Sequence, residues 1–339
     1  MNIDTNRQTK SLKEFPGSTM IAATYDQYGG PEVVSLGSVP TPIPQDNEVL
    51  IQIMATTIAS GDWRMRSAEV PSSFRVLVPL IFGRRPKKNI LGTELSGIVV
   101  KVGRSVCKWK VGDEVFAFPG ADLGAHAEYI CVPEDGKICY KPRELSFEQA
   151  AALCFGGSTA LSFFERAGGI NPGDKVLIIG AGGAVGSAML QIALHFGAIV
   201  SAVCSGEKQA LIEELGAHEV VDYKKINIEE TLEQYDIICD TVGTFTASSA
   251  KGHLKPGGRV LLVMAGLGDI MRSCYNSKIV AGPANEDPKH LPNLADLAAK
   301  GEFKPLIGET FPISEIVQAH RLVDTGHKTG SIVVKVTDG

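Results

Sequence analysis

The stretch Lys175-Val176-Leu177-Ile178-Ile179-Gly180-Ala181-Gly182-Gly183-Ala184-Val185-Gly186 decides the fold of this chain. Residues 175–179 form the continuous apolar run that is typical of a central parallel strand buried on both faces. Beyond the glycines, Met189, Ile192 and Phe196 recur at the spacing of one helical face. A buried strand, a glycine-rich turn and an amphipathic helix in this order predict a βα unit that binds a dinucleotide.

The glycines of this turn have a specific chemical use. Residues without side chains let the backbone turn sharply and let a pyrophosphate approach it, while the helix N-terminus offers free N–H groups and partial positive charge. A tight turn without a ligand is the alternative, and four glycines within residues 180–186 argue against it. We therefore predict that the loop Gly180, Ala181, Gly182, Gly183, Ala184, Val185 and Gly186 binds the cofactor.

The regions before and after the loop differ in their patterns of apolar residues and turns. Residues 199–204, 236–242 and 259–263 read as further strands, and residues 207–215 read as a helix after the first of them. This alternation indicates a doubly wound parallel sheet. Residues 20–145 carry short strands with glycine and proline turns, which is typical of a compact β-rich domain. We expect a mobile extension at 1–18, a β-rich catalytic domain at 19–145, a dinucleotide-binding domain at 146–287, and a C-terminal return at 288–339 that completes the catalytic domain.

The end of the second predicted strand suggests which cofactor is bound. NAD sites usually place an acidic residue there to accept a hydrogen bond from the ribose 2′-hydroxyl. This strand instead ends in Val203-Cys204-Ser205-Gly206-Glu207-Lys208, with no acid at its tip. Ser205, Lys208 and Tyr223 could donate to a 2′-phosphate, although Lys208 could also be a solvated helix residue. The pattern favours NADP(H).

Composition excludes several other classes of function. A net charge of −5 gives no broad attraction to nucleic acid or an anionic membrane. The basic run at residues 84–88 indicates a solvated loop, and an anion contact or a partner contact is the alternative. No stretch approaches a membrane span, and the polar residues 1–18 lack the apolar core of a secretory signal. Seven scattered cysteines without a CxxC pair indicate reduced thiols and a cytoplasmic location.

From about residue 20 onward, the chain resembles the zinc-less quinone oxidoreductase branch of the medium-chain dehydrogenase/reductase superfamily. The motifs that carry the resemblance are Gly29-Gly30-Pro31-Glu32-Val33, Gly92-Thr93-Glu94-Leu95-Ser96-Gly97-Ile98-Val99, Val111-Gly112-Asp113-Glu114-Val115, Ser158-Thr159-Ala160, residues 180–186, Leu215-Gly216-Ala217, Asp240-Thr241-Val242-Gly243 and Lys255-Pro256-Gly257-Gly258-Arg259-Val260. The resemblance implies an α/β protein with a GroES-like β-rich catalytic domain, a Rossmann domain with a doubly wound parallel sheet, and usually a homodimer.

The resemblance also implies roles for individual residues. Family members that use NADPH hold its 2′-phosphate at positions matching Ser205, Lys208 and Tyr223. Thr159 matches a threonine near the nicotinamide, so it is a candidate for both cofactor binding and catalysis. Ala184 departs from the more usual glycine of the family loop.

Zinc-dependent relatives bind their catalytic metal through three protein ligands, and this chain lacks that set. Thr93 stands where those relatives carry a histidine ligand, residues 55–63 contain no cysteine, and Cys154 near the third position would be alone. We predict that no metal is bound. Without a Lewis acid, reduction of a quinone or an activated C=C bond is favoured, because the developing charge spreads onto a conjugated oxygen.

The segment 59–66 corresponds to the part of the family that faces the nicotinamide. Asp62 is our candidate catalytic residue here, and capping of the short helix that follows is its alternative role. Ala59 replaces an asparagine found in many relatives, and residues 59–82 contain no tyrosine, so no proton donor is assigned and solvent could supply the proton. His126 is the only histidine with a candidate role, and a structural or surface position is favoured.

These observations predict an NADPH-dependent oxidoreductase that transfers hydride to a small quinone or α,β-unsaturated carbonyl without a metal. Two alternatives stay open. One is an enoyl-thioester reductase, against which the missing tyrosine counts. The other is a non-enzymatic NADPH-binding sensor, which would bind the cofactor without turnover.

Overall fold

The computed structural model describes residues 17–69, 83–226 and 233–337; most of the predicted extension at 1–18 therefore lies outside the described residues. In chain order the strands are β1 (Thr19–Thr24), β2 (Ser35–Pro40), β3 (Glu48–Ile58), β4 (Leu95–Val102), β5 (Glu114–Ala117), β6 (Tyr129–Pro133), β7 (Ile138–Tyr140), β8 (Lys175–Ile179), β9 (Ile199–Cys204), β10 (Glu219–Asp222), β11 (Tyr235–Asp240), β12 (Leu254–Leu262), β13 (Ile279–Ala281), β14 (Ile307–Pro312) and β15 (Ser331–Lys335). The α-helices are α1 (Ser60–Ser67), α2 (Phe147–Ala151), α3 (Cys154–Arg166), α4 (Ala184–His195), α5 (Gln209–Glu214), α6 (Ala247–Ala250), α7 (Leu267–Ser273), α8 (His290–Ala299) and α9 (Ile316–Asp324).

The N-terminal region is built around the long strand β3. The sheet has the order β14-β15-β3-β4-β5-β7, and β6 also pairs with β3. Beyond Met54 the strand is buried at every position as far as Ile58. Strand β15 pairs with this half in antiparallel register and aligns Val333 with Thr57. The C-terminal strand of the chain therefore lies in the sheet of the first domain.

The central region is a parallel sheet of order β10-β9-β8-β11-β12-β13. Strand β8 lies between β9 and β11, and its apolar side chains from Val176 to Ile179 are buried. After β8 the chain adds β9 and β10 on one side of it, then crosses over and adds β11, β12 and β13 on the other. The strand order therefore reverses beside β8. Ligands of doubly wound sheets bind in the crevice at the carboxyl ends of the strands at such a point.

Helix α8 lies just beyond the predicted domain limit at residue 287. Its residues Leu291 and Leu294 belong to the core that also contains Val176 and Ile178 of the parallel sheet. A Cβ atom at Gly157 of α3 would lie 2.5 Å from Leu294, so the two helices are closely packed there. Helix α8 is thus part of the packing around the parallel sheet, and the chain returns to the first sheet only after it.

All seven cysteines lie within the described residues and are free thiols. Within the described ranges, no helix is both long enough and apolar enough to cross a membrane.

Candidate active site

A cavity of about 490 Å³ lies where the carboxyl ends of the parallel strands meet the first domain. One end is lined by the glycine loop and by residues that follow β9 and β10. The other end is lined by the β3–α1 segment and by residues that follow β11 and β12. The lining residues used below are Thr57, Ala59, Trp63, Arg64, Glu94, Phe155, Gly180, Gly182, Gly183, Ala184, Val185, Gly186, Ser205, Glu207, Lys208, Tyr223, Lys224, Val242, Met264, Asp324 and Lys328.

The glycine loop has the shape that its sequence predicts. Gly180 directly after β8 has a φ of +84°, a left-handed conformation that favours glycine. Gly183 precedes the first residue of α4, and a Cβ atom at Gly186 would lie 2.2 Å from the carbonyl oxygen of Gly180. Ala181 is the one member of the predicted loop that is buried behind the cavity wall. The loop therefore presents the N-terminus of α4 to the cavity, as pyrophosphate binding requires.

The three residues predicted to select NADP(H) line the same cavity, beside the glycine loop. Ser205 is buried and Tyr223 is partly exposed. The Lys208 Nζ donates to the carbonyl oxygens of His327 at 3.1 Å and Lys328 at 2.9 Å. Burial lowers the pKa of Lys208. This ammonium group therefore joins the end of β9 to the loop before β15.

An ion pair missed by the sequence analysis lies at the same end of the cavity. Lys224 Nζ is 3.1 Å from Glu207 Oε1, and both residues line the cavity. Lys224 directly follows Tyr223 after β10, so its position at the strand end was the available signal. The pair reduces the negative charge that Glu207 alone would present to a phosphate.

Glu94 lines the opposite end and is buried. Its carboxylate accepts hydrogen bonds from the Thr57 hydroxyl and, at 2.5 Å, from the Phe155 N–H. Burial raises the pKa of Glu94 to about 7; the hydrogen bonds oppose this rise, the nearby Asp62 charge adds to it, and Lys328 counteracts it. Glu94 was not predicted as a site residue, because its motif, Gly92-Thr93-Glu94, was considered only for the family resemblance and for zinc binding.

Lys328 lies on the loop that contacts the glycine loop. The Gly330 N–H donates to the Gly182 carbonyl at 2.9 Å, and Lys328 Nζ donates to the Gly330 carbonyl at 2.5 Å. Burial lowers the pKa of Lys328 to about 8, although Glu94 raises it. A second basic group, after Lys208, thus faces the glycine loop.

The two residues predicted to act in catalysis lie behind the cavity wall. Asp62 is fully buried, and its two oxygens accept from the N–H groups of Ala59 at 2.8 Å and Gly92 at 2.9 Å. Burial raises its pKa. This geometry supports the alternative role of Asp62, which holds the start of α1. Thr159 is buried within α3 and does not line the cavity, so its contact with the nicotinamide stays a prediction.

His126 and the basic run have structural or solvent-facing positions. His126 is buried, its Nε2 is 2.9 Å from the Thr57 carbonyl, and its ring meets that of His320 edge-on at 5.6 Å between centroids. The basic side chains within residues 84–88 are exposed. Within residues 17–69, 83–226 and 233–337, no group of three His, Cys, Asp or Glu side chains is placed to hold a metal ion.

Comparison with known proteins places this fold and site in a family. Residues 45–143 match the family described as alcohol dehydrogenase GroES-like domain, and residues 215–334 match that described as zinc-binding dehydrogenase. NAD(P)H oxidoreductase RTN4IP1, mitochondrial, from Bos taurus is 31% identical over 95% of this chain and 90% of its own length. The 2-methylene-furan-3-one reductase of Solanum lycopersicum is 32% identical over 94% of this chain and 79% of its own length. The structure of the quinone oxidoreductase from Coxiella burnetii matches with a TM-score of 0.81 and 28% identity, covering 94% of this chain and 100% of that one.

The chain belongs to the medium-chain dehydrogenase/reductase superfamily. The predicted fold class, a GroES-like domain with a Rossmann domain, is confirmed, and so is the relation to quinone oxidoreductases. The protein is an NAD(P)H-dependent oxidoreductase.

Proposed function

We propose that this protein is an NADPH-dependent reductase of quinones and α,β-unsaturated carbonyl compounds that works without a metal. The observation that carries the proposal is that one cavity runs from the glycine loop, where a diphosphate would bind, to the β3–α1 segment, where an acceptor would bind. A relative named for the reduction of 2-methylene-furan-3-one and another named quinone oxidoreductase support the same class of acceptor.

The residues present fit the cofactor. A Cβ atom at position 186 would meet the backbone carbonyl of Gly180, so only glycine there leaves the loop free to meet a diphosphate. Ser205 and Tyr223, with Lys208 beside them, would hold the 2′-phosphate, and Lys224 would balance the charge of Glu207. When bound, NADPH supplies the hydride.

The acceptor end would position the second substrate. Trp63 and Phe155 provide aromatic walls, and Val242 and Met264 extend the apolar lining along the carboxyl ends of the parallel strands. These side chains would exclude water and hold a planar conjugated acceptor at the distance that hydride transfer needs. Solvent would supply the proton, because the residues predicted for catalysis do not line this part of the cavity.

Oxidation of the reduced cofactor, followed by its absorbance, tests the proposal. Purified enzyme would be mixed with NADPH or NADH and with a quinone, an enone, an enoyl thioester or an aldehyde, with and without a chelator. We expect the quinone and the enone to be reduced with NADPH and the chelator to have no effect. Preference for the thioester would favour the enoyl reductase alternative, and binding without any turnover would favour the sensor. Aldehyde reduction that the chelator abolishes would overturn the metal-free mechanism.

We also infer a homodimer in the cytoplasm. The dimer rests on the family resemblance, and the location rests on the free thiols. Analytical ultracentrifugation would test the first inference, with a monomer contradicting it. Cell fractionation would test the second, and recovery in an organelle fraction would contradict it.

A further inference from the structure

Arg64 is a cation at the acceptor end whose charge has no acidic partner among the described residues. Its guanidinium contacts the Met264 sulfur, and a thioether is only a weak hydrogen-bond acceptor. Burial lowers the pKa of the Arg64 guanidinium. A guanidinium carries five N–H donors, so most of its hydrogen-bonding capacity is left for another group.

The acids that line the cavity are each engaged elsewhere. Glu94 accepts from Thr57 and Phe155, and Glu207 pairs with Lys224. Both oxygens of Asp324 accept from the buried guanidinium of Arg66, at 2.7 and 2.6 Å. The lysines that line the cavity also have oxygen acceptors: Lys224 pairs with Glu207, and Lys208 and Lys328 donate to backbone carbonyls. Among the described residues, Arg64 has no such acceptor, so an oxygen atom of a ligand is the group that would satisfy it.

The backbone holds Arg64 firmly in this position. Helix α1 is fixed at its start by Asp62, which bonds the N–H groups of Ala59 and Gly92. The same turn packs against α3, since a Cβ atom at Gly61 would lie 3.2 Å from the Phe155 ring. Across the cavity, Met264 follows β12 at the carboxyl edge of the parallel sheet. Arg64 thus bridges the first domain and the edge where the nicotinamide half of a bound cofactor would end.

We propose that Arg64 binds the carbonyl oxygen of the acceptor and stabilises the oxyanion that forms on it during hydride transfer. This inference rests on the proposed function and deepens it. For an enone, hydride from NADPH forms a C–H bond at the β-carbon, and the C=C electron pair moves to give an enolate. The cofactor is oxidised by two electrons and the acceptor is reduced by two. The enolate then takes a proton from water at its α-carbon.

Arg64 acts here through its fixed charge and not as an acid. A guanidinium stays protonated in proteins, so it can stabilise an oxyanion but does not give up its proton. It also supplies a hydrogen-bond donor to the oxyanion, which the alanine at position 59 cannot, while the proton still comes from water. A preorganised donor aimed at developing charge is among the larger contributions that a side chain makes to catalysis.

The test compares Arg64→Met, Arg64→Lys and the matched control Arg104→Met, since Arg104 is exposed and does not line the cavity. We expect Arg64→Met to lower kcat/KM for an enone by about 100- to 1000-fold, as loss of an oxyanion donor does. Arg64→Lys should recover part of this loss, because it keeps the charge but not the fork of donors. The Kd for NADPH, measured by fluorescence, should be unchanged in all three variants.

A second readout separates oxyanion binding from a structural effect. Bound to the NADP⁺ complex, 4-nitrophenol would mimic the enolate, and its absorbance reports the phenolate form. The wild-type protein and Arg104→Met should shift the bound phenol toward phenolate, whereas Arg64→Met should not. Wild-type kcat/KM in Arg64→Met, or an unchanged phenolate signal, would overturn this inference alone. A wild-type enzyme that reduces neither enone nor quinone would instead overturn the proposed function.

Discussion

The two ends of the cavity are built in different ways. The cofactor end is a contiguous run, residues 180–186, whose backbone provides the binding groups, and its critical positions are glycines. The acceptor end is assembled from side chains far apart in sequence, including Arg64, Glu94, Phe155 and Met264. A backbone site is set by local sequence, whereas a side-chain site depends on how distant segments meet. The first end should therefore be sensitive to added volume and the second to altered charge.

The largest effect is expected at the cofactor end. Gly186→Ala would place a Cβ atom 2.2 Å from the Gly180 carbonyl oxygen, so the loop must move. Loss of two charge-assisted hydrogen bonds to phosphate, at about 1.5–3 kcal/mol each, would weaken NADPH binding by at least about 100-fold. Fluorescence titration would measure this Kd. Gly37→Ala is the control, because a Cβ atom there meets nothing within 4 Å; equal affinities of the two variants would contradict the account.

At the acceptor end, the buried carboxyl group of Glu94 should make the free energy of unfolding depend on pH. The pKa of Glu94 rises from 4.5 to about 7 on folding. A raised carboxyl pKa contributes stability that is fully present below the unfolded value and is lost as the pH passes through the folded value. Relative to wild type, Glu94→Gln should gain up to about 3 kcal/mol in free energy of unfolding as the pH rises across this window.

Urea denaturation at several pH values would measure that gain. The glutamine can still accept from the Phe155 N–H and donate to the Thr57 hydroxyl, so the variant should fold. Glu69→Gln is the control at an exposed site. A difference between Glu94→Gln and wild type that stays constant with pH would show that Glu94 does not carry this charge.

Asp62 tests whether the acceptor end depends on a structural carboxylate. Asn has one acceptor oxygen, so in Asp62→Asn one of the N–H groups of Ala59 and Gly92 loses its partner. We expect a loss of about 1–3 kcal/mol in free energy of unfolding. Urea denaturation would measure it, with the exposed Asp26→Asn as control. Full stability together with lost turnover would instead support the catalytic role predicted from the sequence.

The smallest effect is expected for cofactor selection by Lys208. Its ammonium already donates to two carbonyl oxygens, so a 2′-phosphate would replace part of an existing set of bonds. We expect Lys208→Met to reduce the preference for NADPH over NADH by about tenfold, the low end for a charge-assisted bond. The ratio of the two kcat/KM values measures this preference, with the exposed Lys300→Met as control. An unchanged ratio would remove Lys208 from the 2′-phosphate site.

The sequence predicted four strands of the parallel sheet and not β10 or β13. Strands β8 and β9 begin and end where the patterns do, whereas β11 and β12 are offset from the predicted ranges 236–242 and 259–263. The alternation of polar and apolar residues at 48–54 marks only the first part of β3. The rest is buried at every position and pairs with β15, which comes from the far end of the chain. The predicted helix at 207–215 is divided, with a 3-10 turn at Gly206–Lys208 before α5.

The candidate site was predictable where the chemistry is local. The glycine loop, Ser205, Lys208 and Tyr223 follow strand ends and were found from the sequence, and they line one cavity. Arg64 and Glu94 were overlooked because nothing in their own segments shows which partners the fold provides. Asp62 was assigned to catalysis because its segment faces the cavity, but its side chain points to the N–H groups behind it.

Transfer of deuteride from 4-deuterated NADPH to an enone, with the product examined by mass spectrometry and NMR, tests the central claim most directly. The enzyme would be dialysed against a chelator beforehand. The account predicts deuterium at the β-carbon of a saturated ketone. It also predicts that the dialysed enzyme transfers deuteride at the same rate as enzyme that was not dialysed against the chelator. Deuterium on the carbonyl carbon of an alcohol, or activity that returns only when a metal is added, would contradict it.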